Sequence, residues 1–110
     1  GEARARLVPW LERVSAETGL VYERARVRAQ KTRWGSCSPR RHISINRNLL
    51  FLPEAVVRYL FVHELCHTVH LDHSRRYWEL VERMEPGYRA LDAELRASEH
   101  LVPLWAYPEG

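Results

Sequence analysis

Cysteine is scarce in this chain: only Cys37 and Cys66 among 110 residues. Two isolated thiols without a CxxC pair exclude a disulfide framework. They suit a reducing compartment, so the expected location is the cytoplasm. No apolar run approaches the ~20 residues that cross a bilayer, and no signal-peptide pattern is visible, so no membrane partner is expected. No glycine-rich phosphate loop is present, and no Ser or Cys constellation suggests a covalent nucleophile. Acidic residues are missing altogether from residues 24–53, a window that holds Arg24, Arg26, Arg28, Lys31, Arg33, Arg40, Arg41 and Arg47. That window carries +8, while the remaining nine basic and fourteen acidic residues give −5. A segment of this kind can be a solvated, Arg-rich strand edge that resists aggregation. It can also attract an acidic substrate or nucleic acid, which makes nucleic acid a candidate partner through residues 24–47.

What is present fits one domain over residues 1–110, with a modest core. Leu7, Trp10, Leu11 and Val14 recur at helical spacing and predict a helix over residues 3–18, its regular part starting near Pro9 and stopping at Gly19. From 20 to 46, short alternating stretches around Val21, Val27, Trp34, Ile43 and Ile45 predict two or three antiparallel strands, with a turn at 38–41. Pro53-Glu54 opens a second helix reaching about Leu71, apolar on nearly every face and therefore central and buried. Two shorter helices follow at about 74–84 and 87–98, divided by Glu85-Pro86-Gly87, and the tail 101–110 is expected to pack as irregular chain.

The central helix carries His63-Glu64-Leu65-Cys66-His67, an HExxH motif. A chain of this composition would contain the pattern by accident about 0.03 times. Four residues advance ~6 Å and slightly more than one turn, so the two imidazoles can share a metal while Glu64 reaches water on it. Burying two imidazoles and a carboxylate unpaired would cost several kcal/mol, and a metal satisfies all three. A catalytic zinc takes three protein ligands and keeps one open position. His70 lies ~7–8 Å along the axis from a metal held by the pair if the helix stays regular. His73, past a break at Asp72-His73-Ser74, can loop back, at the spacing of the metzincin pattern although His70 stands where that pattern has glycine. His63, His67 and His73 are thus the expected ligands of one zinc ion, with Glu64 as general base. Asp72, Tyr77 and His70 are candidates for supporting the ligands or the transition state, and Tyr59, four residues before His63, faces the same way. Cys66 and Cys37 are expected to serve packing. Arg33, Trp34, Arg40 and Arg41 are candidate substrate or anion contacts.

Lys31-Thr32-Arg33-Trp34-Gly35-Ser36-Cys37-Ser38, Ile43-Ser44-Ile45-Asn46 with Leu49-Leu50, the HELCH segment, and His73-Ser74 with Tyr77-Trp78 together resemble the YgjP-like metallopeptidase family, a relative of the SprT-like zincins. The resemblance implies a compact α+β zincin-like fold: a small antiparallel sheet of about three short strands packed on a central HExxH helix, with two C-terminal helices. It also implies zinc on His63, His67 and His73 and a metallopeptidase activity. Asp72 and Tyr77 depart from the Asn and Phe common in that family. Asp72 can orient His73 as a carboxylate or act as a helix cap.

Three functions follow as expectations. The first is a zinc peptidase acting on extended polypeptide, which a strand edge around 33–46 could pair with. The second is a metal-dependent hydrolase of nucleotide phosphoanhydrides, using the arginine cluster. The third is a non-enzymatic zinc-containing module that binds nucleic acid or protein, for which Glu64 would be superfluous.

Overall fold

Helix α1 spans Glu2–Thr18 and buries Leu7, Leu11 and Val14 along one stripe. The structure, a computed structural model, describes residues 1–107. The helix begins at Glu2 and runs straight through Pro9, rather than becoming regular only there. Pro9 and Ala5 are both exposed, so the Ala5 carbonyl that loses its helical donor faces water. Gly19 ends α1 at φ 77°, its N–H closing on the Ser15 carbonyl, the left-handed stop that glycine makes cheaply.

Three strands follow, β1 (Arg24–Arg28), β2 (Gly35–Cys37) and β3 (His42–Asn46), in the spatial order β1-β3-β2. β2 and β3 form the expected antiparallel hairpin across the 38–41 turn, where Arg41 takes a positive φ of 62°. β1, however, pairs with β3 in parallel, so the sheet is mixed and not wholly antiparallel. The chain still runs up, down and up, but β3 inserts between its two predecessors. The loop after β1 must then pass over the end of β3, and buried Asn46 holds it there. Its Nδ2 donates to the Gln30 and Arg33 carbonyls at 3.1 and 2.9 Å, and its Oδ1 accepts from Asn48 N at 2.9 Å. A buried amide with its partners supplied is stabilising, and it fixes the loop's path.

A short 3₁₀ turn, Arg47–Phe51, leads to α2 (Glu54–Cys66). Nine of its thirteen residues are buried, as the all-round apolar pattern predicts. α1, α3 (Arg75–Met84) and α4 (Tyr88–Arg96) pack on it, and β2 lies against it from the sheet side. Trp10 meets Phe61 edge to face at 5.4 Å, and Arg58 bridges Glu17 and Glu85 at 3.0 and 3.3 Å. The tail contains 3₁₀ turns at Ser98–Leu101 and Leu104–Ala106, and the Ala106 carbonyl accepts from Arg47 and Asn48. The end of the expected irregular tail, 108–110, lies outside the described residues. Among the described residues no helix is long and apolar enough to cross a membrane.

The core makes the fold alkali-sensitive. Burial pushes the Cys66 thiol up to about 12 and raises the phenols of Tyr59 and Tyr77 above the tyrosine range, with the Asp92 hydrogen bond adding to the shift at Tyr59. The folded chain therefore keeps protons that the unfolded chain releases, and the stability these groups contribute is complete below their unfolded pKa values and lost as pH rises through the folded ones. Each group removes up to ~1.4 kcal/mol per pH unit once above its unfolded pKa of about 8.5–10. Denaturant midpoints are expected to fall steadily above pH ~9.5. A flat profile to pH 11 would show that these groups ionise without unfolding.

Candidate metal centre

His63 lies in the last turn of α2 and His67 caps its C-terminal end, with ring centroids 5.2 Å apart. The helix stops at Cys66, five residues short of the expected Leu71. His67 N and Thr68 N reach back only three residues, to the Glu64 and Leu65 carbonyls, and the Thr68 hydroxyl also donates to Leu65 O at 2.6 Å. These tight turns replace the next helical turn and fold the chain back. His73 thereby lands beside the pair, its Nε2 3.1 Å from His67 Nε2. One ring nitrogen from each of His63, His67 and His73 lies within 4.8 Å of the others. A tetrahedral ion with ~2.05 Å bonds separates its ligand nitrogens by ~3.4 Å, so small ring movements suffice.

Several contacts orient these rings. His67 Nδ1 lies 2.9 Å from the His70 carbonyl, which places the proton on Nδ1 and leaves Nε2 a lone pair. Burial holds His67 below the usual histidine range, against the His70 hydrogen bond and the Glu64 charge, which pull it up. The neutral form is the one that binds metal. Tyr77 stacks on the His67 ring at 4.3 Å and donates its hydroxyl to the His63 carbonyl at 2.8 Å. Because His67 N has turned to Glu64 O, that carbonyl has lost its helical donor, and Tyr77 replaces it. Trp78 backs His73 at 5.8 Å, and Tyr88 backs Trp78 at 5.5 Å.

Glu64 is buried, its Oε2 3.3 Å from His63 Nδ1 but off the line of a hydrogen bond, so that Nδ1 is a buried nitrogen without a hydrogen-bond partner among the described residues. Burial next to Glu64 raises the Cys37 thiol to about 11, which keeps it protonated at neutral pH. β2 presses so closely on α2 that a Cβ at Gly35 would stand 3.1 Å from Leu60 Cδ1, 3.1 Å from the Ser44 carbonyl and 3.2 Å from Glu64 Cγ. Gly35→Ala is expected to cost ~1–3 kcal/mol through overpacking and to displace Glu64. Urea denaturation reads the first effect, and an unchanged midpoint would mean the strand can retreat without strain.

The centre opens into a hollow of about 460 Å³, walled by Arg33, Trp34 and β2 on one side and by Leu71, Asp92 and Arg96 on another. Of the candidate substrate contacts, Arg33 and Trp34 border this hollow. Arg40 and Arg41 do not; they line a separate depression with Glu23 and Arg24, because the hairpin turn carries them to the far end of β2. Asp72 is exposed and its side chain makes no hydrogen bond among the described residues, so it neither orients His73 nor caps α3. Ser74 is the cap, its Oγ accepting from Tyr77 N at 3.4 Å. His70 contributes its carbonyl and not its imidazole. Tyr59 is turned away to Asp92, donating at 2.8 Å. Cys66 is buried in the core, as expected. Sequence reasoning missed Gly35, Asp92 and Arg96. The i,i+4 spacing of Asp92 and Arg96 was the available signal, but nothing local said which way α4 faces.

A family model for the YgjP-like metallopeptidase domain matches residues 1–98. The chain belongs to this family. A similar solved structure, the crystal structure of the metallopeptidase zymogen of Pyrococcus abyssi abylysin, has a TM-score of 0.69 and 28% identity, covering 86% of this chain and 94% of that one. No curated protein matches significantly. Membership in the YgjP-like family implies a bound metal ion, and the donor set fits one: three neutral-capable imidazoles converge, and His63 Nδ1 is buried without a hydrogen-bond partner among the described residues.

Proposed function

We propose that the chain is a zinc-dependent endopeptidase of the HExxH type, acting on extended polypeptide. The observation that carries this reading is the convergence of the His63, His67 and His73 nitrogens beside buried Glu64. Zinc held there would supply Lewis acidity, lowering the pKa of a coordinated water and polarising the scissile carbonyl. Glu64 takes the proton from the attacking water and returns it to the leaving amine. His67 is kept in the ligating tautomer by the His70 carbonyl, and Tyr77 supports His63 and His67 from behind. β2 is an edge strand bordering the hollow, and its free edge suits an added substrate strand. A structural zinc site needs a fourth protein ligand, and the cluster among the described residues has three.

The test is incubation of the zinc-loaded protein with an unstructured polypeptide, beside a Glu64→Gln control, with products identified by mass spectrometry. Internal cleavage by the wild type alone is expected. Intact substrate in both samples, with zinc bound, would overturn the reading, and nucleotide hydrolysis would be examined next.

A further inference from the structure

Beyond Trp34 the catalytic hollow continues into a second one of about 320 Å³, with Arg33, Trp34 and Arg96 on the border of both. Lys31 joins the two arginines there, against one carboxylate among the described residues, that of Glu99. Among the described residues no acid pairs with Lys31 or Arg33. The Lys31, Arg33 and Arg96 side chains are exposed, but each rises from an anchored base. The loop carrying Lys31 and Arg33 is pinned by buried Asn46 through the Gln30 and Arg33 carbonyls. Arg96 donates its Nε to Asp92 Oδ2 at 2.8 Å, and the other Asp92 oxygen is held by the Tyr59 hydroxyl. That chain of contacts runs from the core of α2 to the rim and leaves the two terminal nitrogens of Arg96 without a partner among the described residues.

We propose that this second hollow is a carboxylate-binding subsite, so that the enzyme selects substrates with an acidic group at a fixed position on one side of the cleaved bond. The inference rests on the peptidase reading above and names its substrate class. The Arg33 guanidinium, which pairs with no acid among the described residues, and the terminal nitrogens that Arg96 has left beyond its Nε bond to Asp92 suit a planar carboxylate, which each can grip through paired N–H donors. Trp34, Leu60 and Leu71 give the first hollow its apolar wall, while Arg33 and Arg96 border both hollows and Lys31 adds a third cation only in the second. The carboxylate can belong to an Asp or Glu side chain or to a free C-terminus. Asp92 and Tyr59 are positioning residues that act through Arg96.

The experiment uses one peptide backbone carrying Glu, Gln or Lys at each position around the cleaved bond, each made with a free or an amidated C-terminus. Glu at one position is expected to raise kcat/KM about tenfold or more over Gln, as a charge-assisted contact does. Benefit from the free terminus alone would assign the subsite to C-terminal carboxylates. The charge-reversed double variant, Arg33→Glu with Arg96→Glu, should prefer Lys at that same position, a reversal that structural damage does not produce. Calorimetric binding to the inactive Glu64→Gln protein should show the same order, narrowing in 0.5 M salt. Cleavage indifferent to charge and terminus, with no reversal, would overturn the subsite and leave the peptidase intact. If the wild type cleaves none of these peptides, the peptidase reading fails, and the binding arm alone still decides the subsite.

Discussion

Replacing Glu64 with glutamine is expected to lower kcat by about 10²–10⁴-fold, the usual contribution of a positioned general base, while bound zinc stays at one per chain. The two outcomes separate because Glu64 is not one of the three converging residues. Glutamine fills the same volume against Gly35 and Leu60, where little slack exists, but it cannot take a proton. Product formation by mass spectrometry, with metal content measured on the same samples, reads both quantities. Wild-type turnover in the variant would place the base elsewhere. Loss of metal would instead give Glu64 a structural role.

His73→Ala is expected to weaken metal binding by more than the ~10–100-fold that outer contacts cost, whereas His70→Ala should leave it nearly unchanged. The two histidines are three residues apart, and regular helix would have favoured neither. The tight turns at His67 and Thr68 decide between them. They bring His73 Nε2 within 3.1 Å of His67 Nε2 and leave His70 to serve through a backbone carbonyl that alanine also possesses. Titration against a chelator with known zinc affinity measures both variants. The opposite ranking would mean that residues 67–73 take another path.

Much of this was legible in the chain. The spacing of Leu7, Leu11 and Val14 made a helix, Gly19 ended it, and the apolar surround of HELCH made the second helix central, because these signals act over one or two turns. The pair His63 and His67 is equally local: an i,i+4 spacing on a helix aims two side chains one way. The family resemblance carried by the RWGSCS and HELCH segments held over residues 1–98.

What stayed hidden depended on contacts between distant residues. The parallel pairing of β1 with β3 follows from insertion of a strand, and alternation along a strand reports its faces but not its neighbours. Tyr77 reads as a free hydroxyl until the early end of α2 strips the His63 carbonyl of its donor, fourteen residues away. Arg33 and Arg40 look alike in a run of arginines, yet Asn46 ties one to the hollow beside the three histidines and the hairpin carries the other off. Arg96 enters the site only because α4 packs on α2 with Asp92 against Tyr59. The sequence by itself determined the helices and their ligand spacing, since backbone geometry converts spacing directly into direction. The third imidazole's approach, the walls of the hollow and the charges on its rim were decided by tertiary packing, which alone sets the distance between residues far apart in the chain.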